Sequence, residues 1–266
     1  IGDTLVTWTA TDAAGNVTVK TQLVTVRDTT APTLSVPVAM TATAGTNCSA
    51  VVILTAPTAA DNCTSPVTLT NNAPASGLYP VGVTTVTWTA TDAYGNATTR
   101  TQTVTVTDAI APVITAPATI TANAGSACTA TIALTAPAVS DNCTAPNNIT
   151  VTNNAPAGGV FPIGTTTVTW TATDASGNSS TRTQTVTVID VTVPSLTTPV
   201  AMTASAGANC TATISLTAPI AADNCTVASL TNNAPAGGIF PIGDTLVTWT
   251  ATDAAGNVTV KTQLVT

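Results

Sequence analysis

No histidine and no glutamate occur in the chain, and lysine and arginine together number five. The side chains that most often move protons or attack carbonyls are therefore nearly missing, and aspartate is the only carboxylate. The net charge is −7 and no basic cluster exists to neutralise phosphates, which excludes nucleic acid as a partner. Aromatic residues make up 3% of the chain, so any one core is small and calls for staples or neighbours. The longest aliphatic stretch, Ala50-Val51-Val52-Ile53-Leu54, falls well short of the roughly 20 apolar residues that cross a bilayer. No membrane span lies in this window.

Threonine is abundant, and so is repetition. Trp8, Trp88, Trp170 and Trp249 recur at a spacing of about eighty residues, and Asp12, Asp92, Asp174 and Asp253 keep step with them. Self-similarity at such a period marks tandem modules. Boundaries fall where Asp28, Asp108 and Asp190 are each followed, four positions later, by a proline: Pro32, Pro112 and Pro194. Proline fixes its own backbone and removes a ladder donor, so these are short, stiff junctions. The chain divides into the closing hairpin of a preceding module (residues 1–28) and three modules at 29–108, 109–190 and 191–266.

Residues 1–25 are identical to residues 242–266, whereas residues 81–105 and 163–187 each match them at 17 of 25 positions. The ends are closer to each other than to their neighbours. A three-module block that itself recurs explains this, and the chain is read as a window cut from a longer polymeric chain.

In the second module, residues 165–173 alternate threonine with apolar residues, the period of two of a half-buried strand, with Val168, Trp170 and Ala172 facing a core. After Asp174-Ala175-Ser176-Gly177-Asn178 the alternation resumes with Val186 and Val188 inward, which predicts a β-hairpin whose glycine adopts a positive φ. Residues 130–135 and 148–152 add two strands, and residues 113–122 an opening strand interrupted by Pro117, which suits an edge. No segment carries an apolar face at helical spacing. The expectation is an all-β chain of tandem antiparallel sandwiches joined by short stiff junctions.

Asp108, Pro112, Asp141, Asn142, Cys143, Phe161, Pro162, Gly164, Asp174, Gly177 and Asn178 compose, in module two, a motif set that recurs in the others. It resembles the hyalin repeat, an immunoglobulin-like module of extracellular and adhesive proteins, and the threonine-rich, lysine-poor version is similar to modules of long bacterial surface proteins. The resemblance implies adhesion or scaffolding at the cell surface and no catalysis. The chain departs from many animal members in having no cysteine pair between first and last strands; Ala116 and Thr183 stand about there.

Ten of the twelve aspartates occupy three recurring places: the junction (Asp28, Asp108, Asp190), an Asp-Asn-Cys loop (Asp61, Asp141, Asp223) and the hairpin loop (Asp12, Asp92, Asp174, Asp253). In an immunoglobulin-like module all three places meet at the pole where the chain enters. Three carboxylates plus asparagine oxygens there either repel or bind a hard cation, and calcium favours six to eight oxygen ligands. The candidate metal ligands are Asp28, Asp61, Asn62, Asp92 and Asn96 at the first junction. At the second they are Asp108, Asp141, Asn142, Asp174 and Asn178, and at the third Asp190, Asp223, Asn224, Asp253 and Asn257. The alternative is that these residues only shape turns through local backbone hydrogen bonds.

Each module carries two cysteines fifteen apart: Cys48 and Cys63, Cys128 and Cys143, Cys210 and Cys225. Zinc-type spacing is missing, which favours disulfides in an oxidising compartment. Within a module, an extended strand over residues 130–137 spans roughly 26 Å at about 3.3 Å per residue, whereas bridged Cα atoms lie within about 7 Å. Pairing between successive modules fits better, Cys48 with Cys143 and Cys128 with Cys225, leaving Cys63 and Cys210 for modules outside the window. A shorter or bent strand keeps the local pairing open.

These readings converge on a structural extracellular fibre or adhesin stalk stiffened by disulfides and calcium, whose partners are the adjoining modules. The competing reading is a binding module for glycans or ice that uses the threonine faces of residues 167–171 and 183–187, although threonine also fills solvent-facing strand positions for its β-propensity alone. An enzyme is the weakest reading, because no base other than aspartate accompanies the clusters. Asn96-Ala97-Thr98 and Asn148-Ile149-Thr150 are acceptor sequences for surface glycans, of a kind that arises by chance in so threonine-rich a chain.

Overall fold

The computed structural model of the chain describes every residue except Thr64. Among the described residues there is no α-helix, only strands and three single 3-10 turns. In module two, Gly164–Thr173 and Ser179–Ile189 form the expected hairpin, antiparallel with Val168 opposite Gln184 and Trp170 opposite Arg182. Thr150–Asn153 pairs antiparallel with the first arm, and Ile120–Asn123 pairs with the second in parallel, completing a four-stranded sheet. The opening strand is interrupted around Pro117, as expected, and only its second half makes the parallel pair. The opening segment pairs in one place as Val113–Ile114 with Val139–Ser140, then crosses to the larger sheet.

Thr129–Thr131 pairs with Val160–Pro162 and, with the Val113–Ile114 pair, forms the smaller layer. Alternation along the hairpin puts Val168, Trp170, Val186 and Val188 against Phe161, Ala130 and Ile132, all four strand residues being buried. Each such side chain contributes about 1.5–3 kcal/mol by leaving water. The strand expected over residues 130–135 is shorter, because beyond Thr131 only Ile132 N–H continues the ladder, to Gly159 O at 2.9 Å. The strand expected at residues 148–152 starts later, at Thr150, after a 3-10 turn at Pro146–Asn148.

Modules one and three repeat this plan. Module one has the hairpin Gly82–Thr91 and Ala97–Thr107, with Thr68–Asn71 on one flank and Met40–Thr43 parallel on the other. Module three has Thr245–Asp253 and Val258–Val265, flanked by Val227–Asn232, with one parallel bridge from Met202 to Val265. Tyr79 and Phe240 fill the place of Phe161.

By density of contact the chain forms two compact units. One comprises Ile1–Ala111 with Asp141–Asn148 and Asp174–Asn178; the other comprises Pro112–Ser140, Ile149–Thr173 and Ser179–Thr266. The first unit thus holds module one together with the two loops of module two that carry Cys143 and Asp174. In the same unit, Gly2–Thr11 and Val17–Val26 form a two-stranded sheet by themselves. Trp8 on this sheet is 62% exposed, whereas its counterpart Trp249 in module three is 4% exposed.

Candidate functional site at the module junctions

Each candidate aspartate is held by backbone donors from its own turn, which is why the local sequence places it reliably. Asp174 closes the hairpin: its Oδ1 accepts from Ser176 N–H at 2.9 Å and Asn178 N–H at 2.8 Å, and its Oδ2 from Asn178 Nδ2 at 2.8 Å. Asp141 Oδ2 accepts from the backbone of Cys143 and of Thr144, both at 2.9 Å. Asp108 Oδ1 accepts from Ile110 N–H at 3.1 Å. Asp92 and Asp253 repeat the pattern of Asp174 through Asn96 and Asn257. Burial opposes ionisation of Asp92 and Asp253, but donation from Asn96 and Asn257 outweighs it and lowers both carboxyls below the ordinary aspartate value.

These turns bring the three classes of aspartate together. Carboxylate oxygens of Asp28, Asp61 and Asp92 lie within 4.8 Å of one another, as do those of Asp108, Asp141 and Asp174. At the third junction Asp190 and Asp223 meet in the same way, but the third atom in reach is the sulfur of Cys225, which is committed to a disulfide. Asp253 adjoins that pair through Asn257, whose Nδ2 donates to Asp253 Oδ2 at 2.7 Å and to the Asp190 carbonyl at 3.2 Å.

Turn formation leaves several of these carboxylate oxygens unaccounted for. Asp28 Oδ2, Asp108 Oδ2 and Asp190 Oδ2, on side chains at least nine-tenths buried, accept no hydrogen bond among the described residues, nor do Asp141 Oδ1 and Asp223 Oδ1. A buried charged acceptor without a partner is costly, and three mutually close carboxylates raise that cost by repulsion. Hard oxygen donors converging from three loops are the donor set calcium takes, with water or carbonyls completing six to eight ligands. The residues present therefore fit that ion at the first two junctions; the third supplies two close carboxylates.

The asparagines divide into two groups. Asn96, Asn178 and Asn257 turn their amide nitrogens toward the hairpin aspartate and, at 3.2–3.3 Å, toward the carbonyls of Asp28, Asp108 and Asp190, so they position the cluster. Asn142 and Asn224 reach the preceding module, donating to Gly45 O at 3.2 Å and Gly125 O at 3.1 Å, while their own oxygens are buried without a donor among the described residues. Asn62 donates to Cys63 Sγ at 3.0 Å.

Beside the clusters, Cys48 is bonded to Cys143 and Cys128 to Cys225, with Cα separations of 4.8 and 4.7 Å. Cys143 packs against the core of module one and Cys225 against that of module two. Cys48, Cys128 and Cys210 all have φ near +58°, a conformation rare for non-glycine residues, each with its N–H on the carbonyl of the glycine three residues back. Cys63 and Cys210 are exposed and form no disulfide among the described residues. Although the residue is exposed, local desolvation, then the Asp28 and Asp61 carboxylates beside it, push the Cys63 thiol above its ordinary value. Of the threonine faces, Thr167 and Thr183 are exposed, while Thr169, Thr171, Thr185 and Thr187 are half-buried.

Gln102, Gln184 and Gln263 escape sequence reasoning, yet each is buried and accepts from the module's tryptophan. The signal is there: a glutamine stands 14 positions after every tryptophan, in the inward register of the hairpin.

The chain is 35% identical over 272 residues to hyalin of Strongylocentrotus purpuratus and 31% identical over 277 residues to hyalin of Lytechinus variegatus. Each alignment covers 97% of this chain but 22% and 51% of those proteins, so the chain spans at most about half the length of these relatives. Among solved structures, mouse cadherin-23 EC22-24 matches at 14% identity with a TM-score of 0.40, covering 88% of this chain and 98% of that one. A set of titin domains, I67-I69, also reaches 0.40 at 10% identity, with the same coverage. Among the described residues no helix is long and apolar enough to cross a membrane. The HYR domain matches three times, over residues 27–106, 107–188 and 189–264, and the chain belongs to the HYR domain family.

Proposed function

We propose that this chain is a section of an extracellular fibre or adhesin stalk in which successive HYR modules are clamped end to end by disulfides and calcium. The observation that carries the reading is the convergence at one pole of the buried, unpartnered oxygens of Asp108 and Asp141 with the Asp174 carboxylate, beside the Cys48–Cys143 bond. Calcium there satisfies the orphaned oxygens and removes the repulsion, while the disulfide keeps the two modules connected if either one opens. Neighbour-only contacts let such an array be extended without redesign. The partners are the preceding and following modules, and the disulfides suit an oxidising location at the cell surface.

Thermal unfolding with calcium and with EGTA tests the metal. An ion held at a hundred times its Kd stabilises the form that binds it by about 2.7 kcal/mol. A clear rise in Tm with calcium is expected, and a Tm unchanged by EGTA refutes calcium as the clamp.

A further inference from the structure

The junctions carry the same residue types but not the same loop. In modules one and two the strand that flanks the hairpin opens at Thr68 and at Thr150, opposite Thr91 and Thr173. Asp92 and Asp174 therefore stand one residue beyond that ladder, in the turn. In module three the flanking strand opens at Val227, opposite Asp253 itself, and the hairpin arm Thr245–Asp253 runs on to include it. The turn aspartate has become a ladder residue.

The length of the preceding connection accounts for the difference. Residues 64–67 separate Cys63 from its strand and residues 144–149 separate Cys143 from its own, whereas Thr226 alone separates Cys225 from Val227. The longer connections also carry Pro66 and Pro146, which supply no ladder donor; module three has Ala228 in their place, two residues after the threonine. The bond to the turn changes accordingly. Ala175 N–H donates to the side chain of Thr144, at Oγ1, at 3.2 Å, but Ala254 N–H donates to the backbone carbonyl of Thr226 at 3.0 Å. A backbone bond continues the ladder where the side-chain bond leaves the turn outside it.

The carboxylates register this shift. Oxygens of Asp108, Asp141 and Asp174 lie within 4.8 Å of one another, while the corresponding set at the third junction is Asp190, Asp223 and the sulfur of Cys225. That sulfur is bonded to Cys128, so it is neutral as well as soft and a poor partner for a hard cation. Both junctions still present oxygens that accept no hydrogen bond among the described residues: Asp108 Oδ2 and Asp141 Oδ1 at the second, Asp190 Oδ2 and Asp223 Oδ1 at the third. Asp108 and Asp190 are more than nine-tenths buried. Each junction calls for a cation, with three close carboxylates to hold it at the second and two at the third.

We infer that the third junction is a low-affinity calcium site, set by the short connection between Cys225 and Val227, which fills last and empties first while the second junction stays loaded. Calcium affinity follows the number of charged ligands and the rigidity of the site, so the third site binds roughly tenfold or more weakly than the second. Modules two and three are then the pair whose clamp responds to the calcium level, and the Cys128–Cys225 bond remains when the ion leaves. The inference rests on calcium as the ion of the clamp.

Calorimetric titration of the whole chain with calcium tests it, with Asp174→Asn and Asp253→Asn as paired variants. Each substitution sets a new amide against that of Asn178 or Asn257, so calcium-free melting falls alike in both and only the calcium response separates them. The parent chain should show a tight and a weak class of ion, and Asp190→Asn should remove the weak class alone. Asp174→Asn should move the second-junction ion from the tight class to the weak one, whereas Asp253→Asn should leave the weak class in place. Equal sites throughout, a weak class that survives Asp190→Asn, or its loss in Asp253→Asn overturns the grading and leaves the clamp standing. No calcium uptake at any concentration overturns both.

Discussion

Trp170 and Gln184 are joined inside module two: the indole Nε1–H donates to Gln184 Oε1 at 2.9 Å, and Gln184 Nε2 donates to the Ala118 carbonyl at 2.8 Å. One side chain thus ties the hairpin to the opening segment that crosses between the layers. The same relay runs from Trp88 through Gln102 to Val38 and from Trp249 through Gln263 to Val200.

Replacing that glutamine leaves a buried donor and a buried acceptor unpaired. Gln184→Leu is expected to destabilise module two by about 1–3 kcal/mol, read from denaturant unfolding followed by tryptophan fluorescence. Gln22→Leu is expected to cost nothing measurable, since Trp8 is exposed.

A second prediction concerns one turn. Gly159 has φ +68°, and a Cβ there would lie 2.6 Å from Ile132 O; Gly238 has φ +67° and the same distance to Ile214 O. Backbone cannot yield as a flexible side chain can, so Gly159→Ala should cost on the order of 1–3 kcal/mol. At the corresponding Gly77 the nearest atom is at 3.5 Å, and Gly77→Ala should cost less. Melting of the two variants side by side gives the comparison.

The disulfide joining Cys48 to Cys143 closes a sequence separation of 95 residues. Replacing both with serine is expected to lower stability by about 2–4 kcal/mol. Mild reductant should match that loss in the parent chain and do nothing further to the variant at this junction, as calorimetry would register.

At the second junction, Asp108→Asn removes a charge while keeping the shape and the acceptor that Ile110 N–H uses. The calcium-dependent part of the melting temperature assigned to that junction should disappear, and the calcium-free melting should hold or rise because repulsion falls. Loss of stability without calcium and an unchanged response to calcium would instead mark Asp108 as a turn residue alone.

The hairpins are legible in the sequence because threonine and apolar residues alternate over residues 165–173 with only one burial pattern available to them. The meeting of Asp108, Asp141 and Asp174 follows from turn chemistry once the fold class is known. Local patterning falls short wherever the partner is distant. Nothing near Ile120–Asn123 says that its neighbour runs parallel, and nothing near Asp253 says that Cys225 supplies the third atom beside Asp190 and Asp223. Gln184 is hidden for another reason, since a polar residue in an inward register looks like a gap in the pattern.

Electron microscopy of the chain, measuring the distribution of bend angles between adjacent modules with and without chelator and reductant, tests the central claim most directly. A narrow distribution in calcium under oxidising conditions, widening with chelator and widening further with reductant, is the result the clamp predicts. A broad distribution that neither treatment alters would contradict it.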